Sequence, residues 1–153
     1  NAKVKSKGVE IASSWNPKSD LNIKFGYAFT DSYAGDVCDD PEPAAGVCLD
    51  EQTLRVPQHS INSSINKKIT EKIDASMLLK FASERRDIGN ANNSYLDVIL
   101  SDYTTLDLLG NYKISDNYNL NFSLTNFLDE DYQEAYQYGA PGRLFNFGLR
   151  KAF

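Results

Sequence analysis

Seven stretches of the sequence alternate between apolar and polar residues with a period of two. Such alternation predicts β-strands that have one apolar face and one polar face. In the second stretch, for example, Leu21, Ile23 and Phe25 alternate with polar or small residues. The stretches span about residues 3–15, 20–31, 58–68, 72–83, 102–114, 117–127 and 143–153. No segment has a convincing helical pattern, so the sequence predicts an all-β, antiparallel fold.

The connections between the predicted strands alternate in length. The segments WNPKSD, KKITEK and ISDN have the composition of tight turns, whereas residues 32–57, 84–101 and 128–142 form long connections. Loops longer than about 12–15 residues are uncommon in compact domains. Outer-membrane barrels combine short periplasmic turns with long extracellular loops. The alternation therefore favours a transmembrane β-barrel with its long loops outside the cell.

Aromatic residues collect at both ends of the predicted apolar face. Near the short turns lie Trp15, Tyr112, Tyr118 and Phe153, and near the long loops lie Tyr27, Phe29, Phe81 and Phe145. Membrane barrels carry such aromatic girdles at both membrane interfaces. A soluble β-sandwich, which is the alternative, has no reason to sort aromatic residues in this way. The girdles thus indicate a barrel whose apolar face contacts lipid.

Composition excludes several other classes of protein. The net charge of -5 argues against a nucleic-acid partner, which would require a basic patch. The sequence contains no run of about 18 apolar residues, and it opens on the polar stretch NAKVKSKG, so we expect neither a transmembrane helix nor a signal peptide.

Seven up-and-down strands cannot close a barrel, and each orphan edge group costs several kcal/mol in lipid. We therefore expect the chain to be part of a larger barrel.

The segment NFSLTNFLDEDYQEAYQYGAPGRLFNFGLRKAF resembles the last two strands of TonB-dependent outer-membrane receptors. Upstream, KGVEIASSWNPKSDLNIKFGYAFTDS, LRVPQHSINSSINKKITEKIDAS and DYTTLDLLGNYKISDNYNL are similar to further strands of the same family, in the same order. The residues that match the family's C-terminal motif are Asn126, Asp129, Tyr132, Pro141, Gly142, Arg143 and Phe153. No single motif is decisive, but together they are specific.

The resemblance implies a plugged barrel of about 22 strands. Residues 1–153 would be its C-terminal seven strands, and the N-terminal plug domain and the earlier strands would lie outside this chain. The implied function is active import of a scarce, large nutrient across the outer membrane of a Gram-negative bacterium. The implied partners are the nutrient, the plug, outer-membrane lipid and the TonB complex, which would act through the missing N-terminal region.

The identity of the nutrient depends on a narrower resemblance. The loop EDYQEAYQYGAPGR and the region ERRDI…SDYTTLDL are most similar to the cobalamin-receptor branch, although Tyr-Gln-Tyr-Gly-Ala departs from its usual sequence. Cobalamin (vitamin B12) or a related corrinoid is therefore the expected ligand. A ferric-siderophore or haem receptor is the alternative, and a pore-forming or adhesive outer-membrane barrel is the alternative from another class.

Cys38 and Cys48 both lie in the loop DVCDDPEPAAGVC. At the oxidising cell surface we expect them to form a disulfide, with two free thiols as the alternative. A zinc site is disfavoured because the spacing, without a nearby His, matches no zinc motif. The loop is also rich in carboxylates, which could suit calcium. We expect an acidic loop exposed to solvent instead.

Charged residues on the predicted polar face are expected to point into the barrel lumen, where water or the plug can solvate them. They are Glu10, Lys24, Lys80, Asp107 and Arg150. His59 is the single histidine, so a His-dependent catalytic set has no partners and no enzyme or catalytic residue is expected. We expect His59 to be structural and no cofactor to be bound. For Arg143 the sequence leaves two roles open, contacting the ligand or capping the loop.

Overall fold

A computed structural model describes residues 2–36, 51–91 and 94–152, and all the regular structure in these ranges is β. The strands are β1 (Ala2–Lys18), β2 (Leu21–Asp36), β3 (Glu51–Gln52), β4 (His59–Thr70), β5 (Ile73–Ala82), β6 (Arg85–Ala91), β7 (Ser94–Leu100), β8 (Tyr103–Lys113), β9 (Tyr118–Thr125), β10 (Gln133–Ala135), β11 (Tyr138–Gly139) and β12 (Leu144–Lys151). In the part of the chain that the structure describes, no helix is long and apolar enough to cross a membrane.

Seven long strands form one antiparallel sheet in the order β1-β2-β4-β5-β8-β9-β12. The short strand β3 pairs with the outer part of β2. Two hairpins, β6–β7 and β10–β11, lie outside this sheet and extend the long connections of the chain. The seven predicted strands and their antiparallel arrangement are therefore confirmed.

The register aligns the apolar residues of all seven long strands on one face. Residues directly opposite each other in an antiparallel pair point to the same side of the sheet. One row crosses the sheet with one residue from each strand: Trp15, Ile23, Ile65, Met77, Leu108, Leu124 and Phe145. The opposite face is mainly polar, although Leu78 and Leu109 also lie on it. On this face Ser14 lies opposite Lys24, and Lys24 opposite Ser64. A shift of one residue in any strand would break this row.

The apolar face of the sheet is open. Trp15 is 62% exposed and Phe145 is 67% exposed, whereas the buried apolar residues in the described ranges are Ala82, Leu100 and Tyr103. Soluble monomers rarely expose an apolar patch larger than a few hundred Å². A barrel wall whose outer face contacts lipid requires such a surface. The distribution of apolar residues is thus inverted relative to that of a soluble sandwich.

The predicted long loops contain strands that the sequence analysis assigned to irregular structure, including β3 within residues 32–57. Residues 84–101 include the hairpin β6–β7, and residues 128–142 include β10–β11. Each strand of β6–β7 has only seven residues, and the sequence RRDIGNA does not have the sustained alternation of the sheet strands. These hairpins are stabilised by contacts with each other, described below, and such contacts leave no periodic signal in the sequence.

Candidate functional site

Charged and aromatic side chains form a cluster where the polar face of the sheet meets the long loops. Lys80 and Tyr103 come from β5 and β8, and the register places both on the polar face because Lys80 lies opposite Thr105 and Ala82 opposite Tyr103. The loops add three further members. This loop-end cluster consists of Lys80, Arg85, Tyr103, Tyr132 and Glu134.

Glu134 is the negative centre of the loop-end cluster. Its Oε1 atom lies 2.6 Å from Lys80 Nζ and accepts a hydrogen bond of 3.0 Å from the Tyr103 hydroxyl. The side chains of Lys80 and Glu134 are 47% and 60% exposed. The hydrogen bonds from Lys80 and Tyr103 lower the pKa of Glu134 below its ordinary value. The carboxylate is therefore ionised throughout the physiological pH range.

Two tyrosines and an arginine form one side of the cluster, where aromatic rings lie beside a positive charge. The rings of Tyr103 and Tyr132 stack with centroids 4.1 Å apart, and burial together with the nearby charge of Glu134 raises the pKa of Tyr132. The Arg85 guanidinium carbon lies 5.0 Å from the centroid of the Tyr103 ring. Arg85 is only 4% exposed, and it donates hydrogen bonds to the backbone carbonyls of Ser101 and Gln133. The buried Arg85 guanidinium is therefore hydrogen-bonded to uncharged carbonyl oxygens.

A cavity of about 330 Å³ opens between the cluster and the sheet. Its lining includes Arg55, Lys80, Arg85, Tyr103 and Glu134. Guanidinium groups and tyrosine hydroxyls donate directional hydrogen bonds to oxygen-rich anions, and the ring faces pack against flat ligand groups. The arrangement can therefore hold an anionic ligand that has both oxygen atoms and an apolar surface.

Asp87 connects three separate loop segments beside the cluster. Its carboxylate is completely buried and accepts hydrogen bonds from Tyr136 N at 2.7 Å, Ile88 N at 2.8 Å and Arg55 Nε at 2.9 Å. Burial by itself raises the pKa of Asp87, but the two backbone N–H groups and the Arg55 guanidinium outweigh burial and lower it. A Cβ atom at Gly89 would lie 2.5 Å from the Tyr136 ring, so the hairpins also pack closely. We call the contacts of the Asp87 carboxylate with Arg55, Ile88 and Tyr136 the loop anchor.

The family motif at the C-terminal side closes the connection from β9 to β12. Asn126 is buried with φ of 48°, and its amide donates to the carbonyls of Glu130 at 2.9 Å and Pro141 at 3.2 Å. Its side-chain oxygen accepts from Glu130 N at 2.9 Å. Asn tolerates this left-handed backbone conformation better than most residues. Asn126 therefore holds both ends of the connection.

Arg143 contacts the loop that leads into its own strand. Its backbone N donates to Asp129 Oδ1 at 2.8 Å, and its Nε donates to the Phe127 carbonyl at 2.9 Å. Its guanidinium carbon lies 5.7 Å from the centroid of the Phe127 ring. Gly142 leaves room for this contact, since a Cβ there would lie 3.2 Å from Asp129 Oδ1. Of the two roles left open by the sequence, the geometry supports loop capping.

The five charged residues predicted to face the lumen share the polar face. Their opposite residues in the register are Ala28 for Glu10, Ser14 and Ser64 for Lys24, Asn62 and Thr105 for Lys80, Leu78 for Asp107, and Asn119 for Arg150. A groove of about 720 Å³ along this face is lined in part by Lys24, Lys80 and Asp107. Only Lys80 belongs to the loop-end cluster. Asp107 instead accepts a hydrogen bond from Asn126 N at 2.8 Å.

Other predicted residues lie away from the cluster or outside the described ranges. His59 stacks against Tyr27 on the apolar face, with its Nδ1 2.9 Å from the Tyr27 hydroxyl, which supports a structural role. Cys38, Cys48 and Phe153 fall outside the described residues, as does most of the acidic loop. Within residues 2–36, 51–91 and 94–152, no group of His, Cys, Asp and Glu could hold a metal ion.

The sequence analysis did not single out Arg85, Asp87, Tyr103 or Glu134. Each lies in a segment that resembles the receptor family, but none of them is a residue of the family's C-terminal motif. A weak signal was present in Glu-Arg-Arg-Asp-Ile, which places several charges next to apolar residues in a region assigned to a loop. Charges that become buried there need partners. The partners come from the β10–β11 region, about 50 residues further along the chain, as the separations of 48 for Arg85–Gln133 and 49 for Asp87–Tyr136 show.

The fold and the loop-end cluster define a class of protein, an outer-membrane β-barrel with a polar inner face and structured loops. Residues 1–127 match the family described as TonB dependent receptor-like, beta-barrel. The chain therefore belongs to the TonB-dependent receptors, a family of outer-membrane transport receptors of Gram-negative bacteria and not of enzymes. No curated protein sequence gives a significant match.

Solved structures of receptors share the fold. They include the pyoverdine receptor FpvA of Pseudomonas aeruginosa (TM-score 0.75, 18% identity, 98% of this chain and 22% of that chain). The siderophore receptor PiuA of Acinetobacter baumannii has a TM-score of 0.75 and 19% identity, over 98% of this chain and 22% of that one. The ferric-catecholate import receptor Fiu of Escherichia coli has a TM-score of 0.76 and 16% identity, over 99% and 21%. The chain thus spans about a fifth of the length of these receptors.

These comparisons confirm the predicted family and the barrel fold. They do not specifically support the cobalamin branch, because the three structures named above are those of a pyoverdine receptor, a siderophore receptor and a ferric-catecholate import receptor. The resemblance of two loops to the cobalamin branch was a weak guide, since loops vary more than the strands that they connect.

Proposed function

We propose that the chain forms the C-terminal seven strands of the barrel in a receptor that imports a ferric siderophore with energy from the TonB complex. The observation that carries this proposal is the loop-end cluster, in which Lys80, Arg85 and Tyr103 line a cavity at the loop end of the polar face and Tyr132 stacks on Tyr103. The siderophore specificity of the named structural relatives supports the same ligand class. A corrinoid becomes the second candidate, on the sequence resemblance of the two loops.

The chemistry of the cluster suits a ferric siderophore. Such chelates surround iron with catecholate, hydroxamate or carboxylate oxygens, and many carry net negative charge. Arginine and lysine attract these oxygens, and arginine can form two parallel hydrogen bonds to a carboxylate. Stacked tyrosines offer flat apolar contact together with hydroxyl donors. The cavity at the mouth of a barrel is also the usual position of ligand sites in this architecture.

The two faces of the sheet fit the rest of the proposal. The row from Trp15 to Phe145 would contact lipid, and the polar face would contact the plug or water in the lumen. There Glu10, Lys24, Asp107 and Arg150 would be solvated without the penalty of about 2–4 kcal/mol that Lys or Arg incurs at the centre of the lipid face. The plug and the earlier strands would be contributed by the N-terminal part of the receptor. We also propose that a Cys38–Cys48 disulfide would close the extracellular loop that contains both residues.

Uptake by the whole receptor tests the proposal. The receptor would be expressed in a Gram-negative strain without its own siderophore receptors, with and without a functional TonB complex. We expect saturable, TonB-dependent uptake of radiolabelled iron from at least one ferric siderophore. Tyr103→Ala and Arg85→Gln should reduce uptake at equal surface levels, whereas Lys24→Ala, on the same face but outside the cluster, should not.

Parallel assays separate the competing functions. Uptake of radiolabelled cobalamin without uptake of iron would support the corrinoid. Haem as the only iron source that sustains growth would identify a haem receptor. Non-saturable, TonB-independent entry of small solutes would indicate a pore, and would contradict the proposed function.

A further inference from the structure

We propose that Glu134 acts as an internal counter-ion that gates the loop-end cluster, so that a ligand must carry negative charge to displace it. This inference rests on the proposed function and adds the internal competitor that an anionic ligand displaces. The gate would be a single side chain and not a moving loop. It predicts that Glu134 competes with anionic ferric chelates for Lys80 and Tyr103, and so lowers the affinity for these chelates while leaving the affinity for uncharged ones nearly unchanged.

Glu134 occupies the position that a ligand oxygen would take. One oxygen atom, Oε1, receives both the Lys80 ammonium at 2.6 Å and the Tyr103 hydroxyl at 3.0 Å. The same carboxylate lines the 330 Å³ cavity together with Arg55 and Arg85. An anionic oxygen from a ligand would satisfy the same two donors. Glu134 therefore imitates the charge and geometry of the ligand group for which we propose the site.

The contact made by Glu134 is easily broken. The Lys80 and Glu134 side chains are 47% and 60% exposed, and ion pairs in contact with water contribute little to stability. A released Glu134 carboxylate can turn into solvent without becoming a buried, unpaired charge. The ligand then loses little by competing with it.

The backbone around Glu134 is held firmly on both sides. The carbonyl of Gln133 accepts a hydrogen bond from Arg85, and Tyr136 N donates to the buried carboxylate of Asp87. These contacts involve residues that are 4% and 0% exposed. Rotation of the Glu134 side chain is thus the least costly way to open the cluster, and the β10–β11 hairpin stays in place.

Displacement of Glu134 would leave two positive charges for the ligand. Arg55 keeps its pair with Asp87 at 2.9 Å, whereas Lys80 loses its carboxylate partner. Arg85 interacts with two neutral carbonyls and the face of Tyr103. An anionic chelate would restore the balance at Lys80 and add a partner for Arg85. An uncharged chelate would leave both unmatched, so it would not drive Glu134 out.

Glu134→Gln in the full receptor tests the gate, because the amide keeps the size of the side chain and removes its charge. Binding of an anionic ferric tris-catecholate and of an uncharged ferric tris-hydroxamate would be measured by calorimetry. Removing one charge at roughly 8 Å from the ligand changes the affinity of an anion by about tenfold or more at an effective dielectric constant of about 20. We expect that gain for the catecholate and less than about twofold for the hydroxamate. Asp131→Asn, a matched loss of charge in the same loop, should leave both affinities near wild type.

The outcomes separate the gate from the proposed function. Equal gains for both chelates, or weaker catecholate binding in Glu134→Gln, would overturn the gate while leaving siderophore binding intact. If neither chelate binds the wild type, the proposed function fails, and inorganic phosphate then serves as the probe. Greater broadening of its phosphorus NMR signal by Glu134→Gln than by wild type would still support the gate. Equal broadening by the two proteins would overturn it.

Discussion

The loop anchor predicts that Asp87→Asn detaches the two outer hairpins from each other. Asp87 accepts hydrogen bonds from two backbone N–H groups and from Arg55, and its side chain is completely buried. Asparagine has one acceptor oxygen, so its amide group would meet one of these N–H donors. The substitution thus leaves a buried donor without an acceptor and removes a charged partner of Arg55.

The magnitude follows from these two losses. A buried donor without a partner costs about 1–3 kcal/mol. The lost attraction to Arg55 is smaller, about 0.2–1 kcal/mol, because the Arg55 side chain is 55% exposed and water replaces its partner. The docking of β6–β7 on β10–β11 should therefore weaken by roughly 2–3 kcal/mol. The barrel strands should be unaffected, since the anchor lies outside the main sheet.

Hydrogen exchange of the Tyr136 amide in the detergent-solubilised receptor measures this loss directly. We expect exchange to accelerate by roughly 30-fold or more in Asp87→Asn, if local opening governs it. Asp97→Asn is the matched control, because its partner Arg86 is also in the hairpin but Asp97 is 61% exposed. That variant should change the exchange by less than about fivefold. Unchanged exchange in Asp87→Asn, or an equal effect of Asp97→Asn, would refute the anchor.

Three further predictions concern the sheet and the pH dependence of the anchor. Leu79→Arg, on the apolar face, should lower outer-membrane assembly by about 2–4 kcal/mol, whereas Leu78→Arg, opposite Asp107 on the polar face, should assemble nearly as wild type; equal surface levels by immunoblot would contradict the register. Gly110→Val should lower the temperature of barrel unfolding in a gel-shift assay, because a Cβ there would lie 2.0 Å from the Phe122 ring, while Gly148→Val meets open space and should not. Because the pKa of Asp87 is lowered from 3.8, protection of the Tyr136 amide after correction for intrinsic exchange should hold at neutral pH and decrease as the pH falls below about 3.8; Asp87→Asn should lack this decrease.

The sheet could be predicted from the sequence because its signal is local and repeated. In each long strand the alternation shows which residues share a face, as Leu120, Phe122 and Leu124 do. The short turns fix which strands are neighbours. The facing of each strand then follows, since a shift of one residue would move its whole apolar set to the other face. This is why seven strands and their facing could be derived without a structure.

The loop-end cluster and the loop anchor could not be predicted, because their contacts join residues that are distant in the chain and that carry no motif of their own. The sequence around Asp87 does not distinguish it from other loop carboxylates, because its partner, the backbone N of Tyr136, lies 49 residues further along the chain. Glu134 has no motif, and its contact with Lys80 crosses 54 residues. Backbone donors carry no side-chain signature at all. The ligand class was inferred from the sequences of two loops, and loop sequences vary more among related proteins than strand sequences do.

The loop anchor also restricts how the exposed surface of this receptor can change over generations. Tyr136 contributes a backbone N–H to Asp87, so that hydrogen bond survives many changes of side chain at this position, whereas Asp87 and the small residue Gly89 have few substitutes. On the outward side of the same hairpin, Ile88 and Ile99 are 38% and 60% exposed, and new residues there disturb no buried partner. Substitutions can thus accumulate on the outside of the hairpin, while the side beside the loop-end cluster stays the same.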